Sequence, residues 1–333
     1  MKKILVIRFS SIGDIVLTTP VVRCLKQQLP EAEIHFVTKS FFLPVLKANP
    51  YIDKIYSIRE KIEEVIPDLK MENYDHIIDL HKNFRSKGVI LKLKKPASSF
   101  DKINLQKWMA VNLKINSLPN IHIVDRYFEA VKRLGIKNDQ KGLDYFIPEE
   151  DEIKRESLPE FFRKSYIAWV IGGKHNTKIF PKEKIIETIQ KSRKPVILLG
   201  GPEDKEKGDS IQITIGSTVF NAAGKYNINQ SASLVQQADF VITNDTGLMH
   251  VAAAFKKPIV SLWGNTIPEF GMYPYLPGCE ENSIILEIKG LSCRPCSKLG
   301  FKKCPKGHFK CMQEIETDEI IRSIDGEETP EAK

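Results

Sequence analysis

The sequence contains no apolar stretch approaching the ~20 residues needed to span a bilayer. Its opening Met1-Lys2-Lys3 resembles the basic end of a signal peptide, but Arg8 and Asp14 interrupt the apolar run that would have to follow. A cytoplasmic protein is therefore expected, with peripheral contact to a membrane left open. Neither G-x-G-x-x-G nor G-x-x-x-x-G-K-[ST] occurs, which removes the sequence support for hydride transfer from a dinucleotide and for phosphoryl transfer on a P-loop. There is no Asp-x-Asp pair, the simplest sequence sign of a catalytic Mg²⁺ or Mn²⁺. Cysteine is scarce: there are six, and Cys24 alone precedes Cys279. In a cytoplasmic chain that clustering argues for metal binding or local packing over a disulfide framework.

What is present is a soluble, basic chain. Its 333 residues suffice for two domains, and 42% apolar with 28% charged residues fits a globular protein. The net charge of +8 favours an anionic partner: nucleic acid, a phosphorylated sugar or an anionic membrane face.

Residues 3–9 form a buried-strand pattern, and Leu17, Val21, Leu25 and Leu29 then recur at helical spacing up to Pro30. Pro20 places the start of that helix near Leu17, where a missing N–H costs little. Strands at 34–37, 55–58 and 76–80 alternate with helices at 41–48, 60–71, 85–94, 105–112 and 124–134. A second series has strands at 166–171, 196–199, 218–220, 240–243 and 259–263. Such alternation predicts parallel sheets covered on both faces. The charged stretch 149–159 marks the boundary, giving domains of 1–155 and 156–325 and a frayed tail at 326–333.

The most informative stretch is 240–254. Phe240, Val241 and Ile242 read as a buried strand, and Thr243, Asn244, Asp245 and Thr246 as a turn and helix N-cap. Gly247 and a helix of small residues follow. The first N–H groups of a helix lack partners and carry partial positive charge, so this arrangement suits an anion. His250, four residues after Thr246, shares a helix face with it. The loop Gly172, Gly173, Lys174, His175, Asn176, Thr177, Lys178 also suits phosphates, with Lys178 or Lys174 as the counter-charge. Glu203, after Gly200 and Gly201, is placed to accept from a sugar hydroxyl. In the first domain Ser10, Ser11, Gly13 and Asp14 follow the first strand. Asp14 reads either as a helix cap or as a general base for an attacking hydroxyl.

Taken together, the G-D-x-x-L-T-T-P segment at Gly13–Pro20, the Gly-Gly loop ending at Lys178, and the N-D-T-G-x-x-H segment at Asn244–His250 resemble glycosyltransferase family 9, the ADP-heptose:lipopolysaccharide heptosyltransferases. The resemblance runs from Lys3 to about Ile315. It implies a GT-B fold, α/β, with two Rossmann-like domains whose parallel sheets face across a cleft. The first would bind the acceptor, on a loop of Ser10, Ser11 and Gly13, and the second the nucleotide sugar. It implies inverting transfer of heptose from ADP-heptose to the inner core of lipopolysaccharide, without metal or other cofactor, at the cytoplasmic face of the inner membrane. Asp14 takes the catalytic-base position. Lys178, Asp245, Thr246, Gly247 and His250 take donor positions, and Glu203 borders the nucleotide sugar.

Cys293, Cys296, Cys304 and Cys311 follow a C-x₂-C-x₇-C-x₆-C spacing that suits either a structural zinc ion or packed thiols. Three alternatives accompany this reading: a family 9 transferase for another sugar or acceptor, a basic nucleic-acid-binding module with a zinc segment, and a non-catalytic relative. A monomer that binds no nucleic acid is expected.

Overall fold

A computed structural model describes residues 2–326, so most of the tail expected at 326–333 lies outside the described residues. The described residues form two compact units, one made of 2–103 and 121–148 and the other of 104–120 and 149–326.

The first unit holds β1 (Lys3–Ile7), α1 (Ile12–Val16), α2 (Thr19–Gln28), β2 (Glu33–Lys39), β3 (Lys54–Ile58), α3 (Ile66–Met71), β4 (His76–Asp79), α4 (Phe84–Leu93) and β5 (Ala97–Ser99). Its sheet has the order β3-β2-β1-β4-β5, and every pairing is parallel. The central strand β1 is buried at Ile4, Leu5, Val6 and Ile7, which is why it reads as a continuous apolar run without alternation. Leu5, Ile7, Val37, Ile58, Leu69 and Ile77 form part of the core on one side. At ~25 cal/mol per Å² of apolar surface, each such side chain contributes roughly 2 kcal/mol.

After β5 the chain leaves this unit. Helix α5 (Asn104–Asn112) and the segment to Asn120 belong to the second unit, where Ala110, Val111 and Leu118 pack with Ile267 and Phe270. The chain then returns through α6 (Ile123–Phe128).

The second unit continues with β6 (Ile167–Val170), α7 (Lys182–Ser192), β7 (Val196–Leu199), α8 (Lys205–Ile215), β8 (Val219–Asn221), α9 (Ile228–Gln237), β9 (Phe240–Asn244), α10 (Gly247–Ala254), β10 (Ile259–Trp263), β11 (Ser283–Glu287), α11 (Lys310–Gln313) and α12 (Thr317–Asp325). Its sheet order is β11-β10-β9-β6-β7-β8, again all parallel. Trp169 from β6 and Trp263 from β10 are buried. Among the described residues no helix is long and apolar enough to cross a membrane.

Several sequence expectations shift. The boundary expected at 155/156 falls at 148/149, because Asp151 accepts hydrogen bonds from Asn227 and Asn229 and so docks 149–155 on the second unit. The segment 104–120, expected in the first domain, follows its apolar face into the second. The helix expected at 41–48 is a 3-10 segment, Ser40–Val45, with Pro44 removing an N–H from its interior. Residues 60–71 split into a 3-10 turn, Ile62–Glu64, and α3, which carries Pro67 in its first turn. Residues 124–134 likewise divide into α6 and a 3-10 turn, Lys132–Leu134, closed by Gly135 in the left-handed region (φ +77°). The edge strands β5 and β11 were not expected: β5 is three residues of Ala and Ser, and β11 is only partly buried.

Candidate functional site

On the first unit, β1 runs out into Arg8, Phe9, Ser10 and Ser11. Ser11 is the N-cap of α1, whose first residue Ile12 lies ahead of the expected start near Leu17, so Asp14 is the third residue of a helix; α2 begins separately, with Thr18 as its N-cap and Pro20 in its first turn. Asp14 closes a capping box, its Oδ2 accepting from the Ser11 N–H at 3.1 Å and from the Ser11 hydroxyl at 2.7 Å. Its other oxygen pairs with Arg8 Nη2 at 2.5 Å, and the carboxylate remains 23% exposed. Capping and a role in chemistry are thus compatible here.

Arg8 is a residue that sequence reasoning passed over. It is buried, and it donates to Ser10 O at 2.8 Å, Leu80 O at 2.5 Å and the Tyr127 hydroxyl at 3.0 Å. Burial works against its charge, but Asp14, Tyr127 and Asp79 outweigh burial and raise its pKa. Burial also raises the Tyr127 phenol to about 12, so it stays neutral. His81 lies near the same group: burial, then Arg8 and Lys102, press it down to about 3, leaving a neutral imidazole packed edge-on to Phe9 at 5.1 Å. The available sequence signal was an arginine inside an otherwise apolar strand run. Of the remaining expected residues, Gly13 is buried, Ser10 half-buried and Ser11 exposed.

On the second unit, the Gly172–Gly173 loop follows β6 and ends in a 3-10 turn, Asn176–Lys178. A Cβ on Gly172 would stand 2.0 Å from Asp204 Oδ2, so the close approach requires glycine. Of the two candidate lysines, Lys174 is exposed and Lys178 is engaged: its Nζ lies 2.5 Å from Asp245 Oδ2. Thr266, after β10, donates its hydroxyl to the same oxygen at 2.8 Å. Asn244 holds the two loops together, donating to Val170 O and Gly172 O and accepting from Phe180 N–H at 3.1 Å. Asp245, at the end of β9, is thereby fixed with its charge balanced by Lys178.

Thr246 is the N-cap of α10 with extended backbone (φ −141°), and its side chain makes no capping hydrogen bond. The first N–H groups of α10 point out beside half-buried Asp245, Thr246 and Gly247, which leaves partial positive charge at this end. His250, one turn further, is buried. Glu203 sits exposed on the turn Pro202–Asp204, and among the described residues no hydrogen bond or ion pair joins it to Lys178 or Asp245. Its neighbour Asp204, not expected to matter, is the residue against which Gly172 and Gly200 pack, and it accepts from the Gly201 N–H at 2.9 Å.

The cysteine segment clasps both loops. Arg294 donates to Gly264 O at 2.6 Å, Ile288 O at 2.6 Å and Thr266 O at 2.8 Å, and pairs with Glu287 at 2.8 Å. Cys296 N–H donates to Asn265 O at 3.0 Å. Phe301 N–H donates to the Thr177 hydroxyl at 2.8 Å, and Phe301 O accepts from Thr177 N–H at 3.2 Å. The segment therefore holds Thr266 from one side and the turn that carries Lys178 from the other. A cleft of about 520 Å³ lies beside this clasp, lined by Lys114, Ile267, Glu287 and Arg294, and not at the Lys178–Asp245 pair.

Cys293, Cys296, Cys304 and Cys311 are free thiols. Cys293 Sγ lies 3.8 Å from His308 Nε2, and Cys296 Sγ donates to Cys293 O at 3.0 Å. Burial, reinforced by the neighbouring thiols, pushes Cys296 and Cys311 up to about 11. Among the described residues no three of these sulfurs lie within 4.8 Å of one another. Among the described residues only Glu33, His35 and Glu72 bring three potential ligand atoms within 4.8 Å of one another. That group is already neutralised, with Glu72 paired to Lys3 and Lys54 at 2.6 Å each and Glu33 bonded to His35 at 2.8 Å.

Comparison with known proteins adds an independent line. Residues 62–302 match the family model "Glycosyltransferase family 9 (heptosyltransferase)", a span that begins after the Asp14 segment. Lipopolysaccharide heptosyltransferase 1 of Campylobacter coli is 26% identical over 97% of this chain and 98% of its own. Among solved structures, a family 9 glycosyl transferase from Veillonella parvula superposes with a TM-score of 0.78 at 24% identity, covering 98% of this chain and 96% of that one. The ADP-heptose lps heptosyltransferase II of E. coli gives 0.74 at 21% identity, covering 98% of both chains. The fold is GT-B, with parallel sheets of five and six strands. The chain belongs to glycosyltransferase family 9, the heptosyltransferase family, and is a glycosyltransferase.

Proposed function

We propose that the protein is an inverting heptosyltransferase that moves heptose from ADP-heptose to the inner core of lipopolysaccharide, at the cytoplasmic face of the inner membrane. The observation that carries this reading is the Lys178–Asp245–Thr266 cluster beside the open start of α10. A departing nucleoside diphosphate builds up negative charge. In this reading Lys178, shared with Asp245, and the α10 N–H groups are the positive groups offered to that charge, and transfer proceeds without a divalent cation. Asp245, held by Lys178 and Thr266, keeps lone pairs for hydroxyls of the donor, with Glu203 bordering the nucleotide. Heptose and ADP as donor components are supported by the relatives' names and not by a contact in this chain.

Asp14 takes the role of base. An acceptor hydroxyl attacks the anomeric carbon, the bond from that carbon to the diphosphate oxygen breaks, Asp14 receives the hydroxyl proton, and the diphosphate leaves as its anion. One displacement of this kind inverts the anomeric centre and needs no covalent intermediate. Ser10, Ser11 and Gly13 form the backbone against which the acceptor lies. Arg8 holds the Asp14 carboxylate in one orientation.

The test is a thermal-shift titration with ADP, UDP, GDP and CDP, each with and without EDTA, followed by turnover assays on two variants. Stabilisation by ADP alone, indifferent to EDTA, supports the donor assignment. Preference for another nucleotide transfers the reading to a different sugar donor. Asp14→Asn should nearly abolish turnover while donor affinity stays within a few-fold, and Lys178→Ala should weaken donor affinity as well as rate. Near-normal turnover in Asp14→Asn would remove the base assignment.

A further inference from the structure

We propose that α5 and the segment to Ile115, together with the loop around Leu299, form a docking surface for an anionic lipid bilayer. Helix α5 has two apolar faces. Ala110 and Val111 pack inward with Ile267 and Phe270. Leu105 and Trp108, three residues apart and so on one side of the helix, point outward at 67% and 51% exposure. Leu113 and Ile115 continue the exposed band at 52% and 50%. Lys114 donates to Cys293 O at 3.1 Å and Pro295 O at 2.7 Å, which ties this segment to the cysteine loop. That loop exposes two more large apolar residues, Leu299 at 66% and Phe301 at 38%.

The charge pattern says what covers such a face. No acidic residue occurs between Asp101 and Asp125 or between Glu287 and Glu314, whereas Lys107, Lys114, Lys298, Lys302, Lys303 and Lys306 lie within those stretches. Lys107 stands 5.7 Å from the Phe270 ring centroid, at the inner side of α5, while Lys298, Lys302, Lys303 and Lys306 are exposed. Two copies of this face would repel each other, and a purely apolar partner would strand the ammonium groups. An anionic membrane satisfies both components: leucine, isoleucine and tryptophan enter the headgroup region while lysines meet lipid phosphates. The inference rests on the proposed lipid-anchored acceptor for its purpose, but its test uses no substrate. The nucleotide titration can therefore fail without it, and it can fail without the titration.

The protein carries its own reporter, because Trp169 and Trp263 are each 1% exposed and Trp108 is the accessible indole. The whole protein is mixed with sucrose-loaded vesicles of phosphatidylglycerol and phosphatidylethanolamine, or of phosphatidylcholine alone, and sedimented. Binding to the anionic vesicles should blue-shift the tryptophan emission and weaken at least about tenfold between about 0.05 M and about 0.5 M salt. Leu105→Ser/Leu113→Ser should lose about tenfold or more in partitioning, and its emission shift, with an unchanged melting temperature. No binding to anionic vesicles at low salt would overturn the proposal. So would binding without a change in emission, or equal binding by the double variant. A wild-type dimer that the double variant converts to a monomer, with no vesicle binding, would assign the face to a second copy instead.

Discussion

Replacing Arg8 by methionine tests how firmly the Asp14 carboxylate is held. The guanidinium is buried and bonded to Asp14, Ser10 O, Leu80 O and the Tyr127 hydroxyl. Methionine fills the apolar part of that space and makes none of these bonds. Removing one partner of a buried pair costs ~3–5 kcal/mol, and the 23% exposure of Asp14 lowers this to roughly 2–3 kcal/mol. Asp14→Asn leaves Arg8 charged and short of its counter-ion, for a loss of about 1–2 kcal/mol. In the double variant neither charge is stranded, so the losses should fall short of their sum by about 1–2 kcal/mol. The assay is denaturant unfolding followed by far-UV circular dichroism, because Trp108, Trp169 and Trp263 all belong to the second unit and tryptophan fluorescence does not report on the first. Additivity within about 0.5 kcal/mol would refute the reasoning and leave Arg8 and Asp14 energetically independent of one another.

Two further predictions concern the second unit. A Cβ on Gly264 would stand 2.6 Å from Thr177 O, a backbone atom, and 2.9 Å from Met312 Cε. Gly264→Ala should cost about 2–3 kcal/mol in the fluorescence-monitored unfolding of this unit and weaken nucleotide binding several-fold, since Thr177 adjoins Lys178; unaltered nucleotide affinity would mean that the two loops are not coupled through this contact. Lys207 is half-buried, donating to Ile171 O at 3.1 Å and Phe180 O at 3.2 Å on either side of the Gly172–Gly173 loop, and desolvation lowers it from the ordinary 10.5 to about 8. Between those two values the unfolded chain binds more protons than the folded one, so stability from this group rises with pH, by at most ~3 kcal/mol in all. Below about pH 8 the lysine is charged in both states and its full burial cost applies. Lys207→Met should flatten the rise in unfolding midpoint measured between pH 8 and 10, and an unchanged slope would assign that rise to other groups.

The parallel-sheet architecture was legible because buried strands such as β1 and β9 carry their apolar, β-branched residues in unbroken runs, and the turn residues after them are polar or glycine. The turn after β9 was legible for the same reason, since Asn244, Asp245, Thr246 and Gly247 interrupt a strand and start a helix within four residues. Family membership now leaves the nucleic-acid reading of the basic charge without support. The charge itself is partly organised around α5 and the cysteine loop. The zinc spacing of the cysteines was also visible, but four thiols at suitable intervals say nothing about whether a loop brings their sulfurs together.

Local sequence thus determined the type of most strands and helices, the side of each sheet on which polar residues collect, and the candidacy of Asp14, Lys178 and Asp245. These follow from periodicity and from the chemistry of strand-to-helix turns, which act over a few residues. Only the tertiary structure decided that Arg8 holds Asp14, and that Lys178 instead of Lys174 meets Asp245. It alone placed α5 with the second unit and made Arg294 and Phe301 the clasp of the loops that carry Thr266 and Lys178. Each of these depends on which side chains meet across long separations in the chain, and such meetings are set by packing of the whole unit and not by any local pattern.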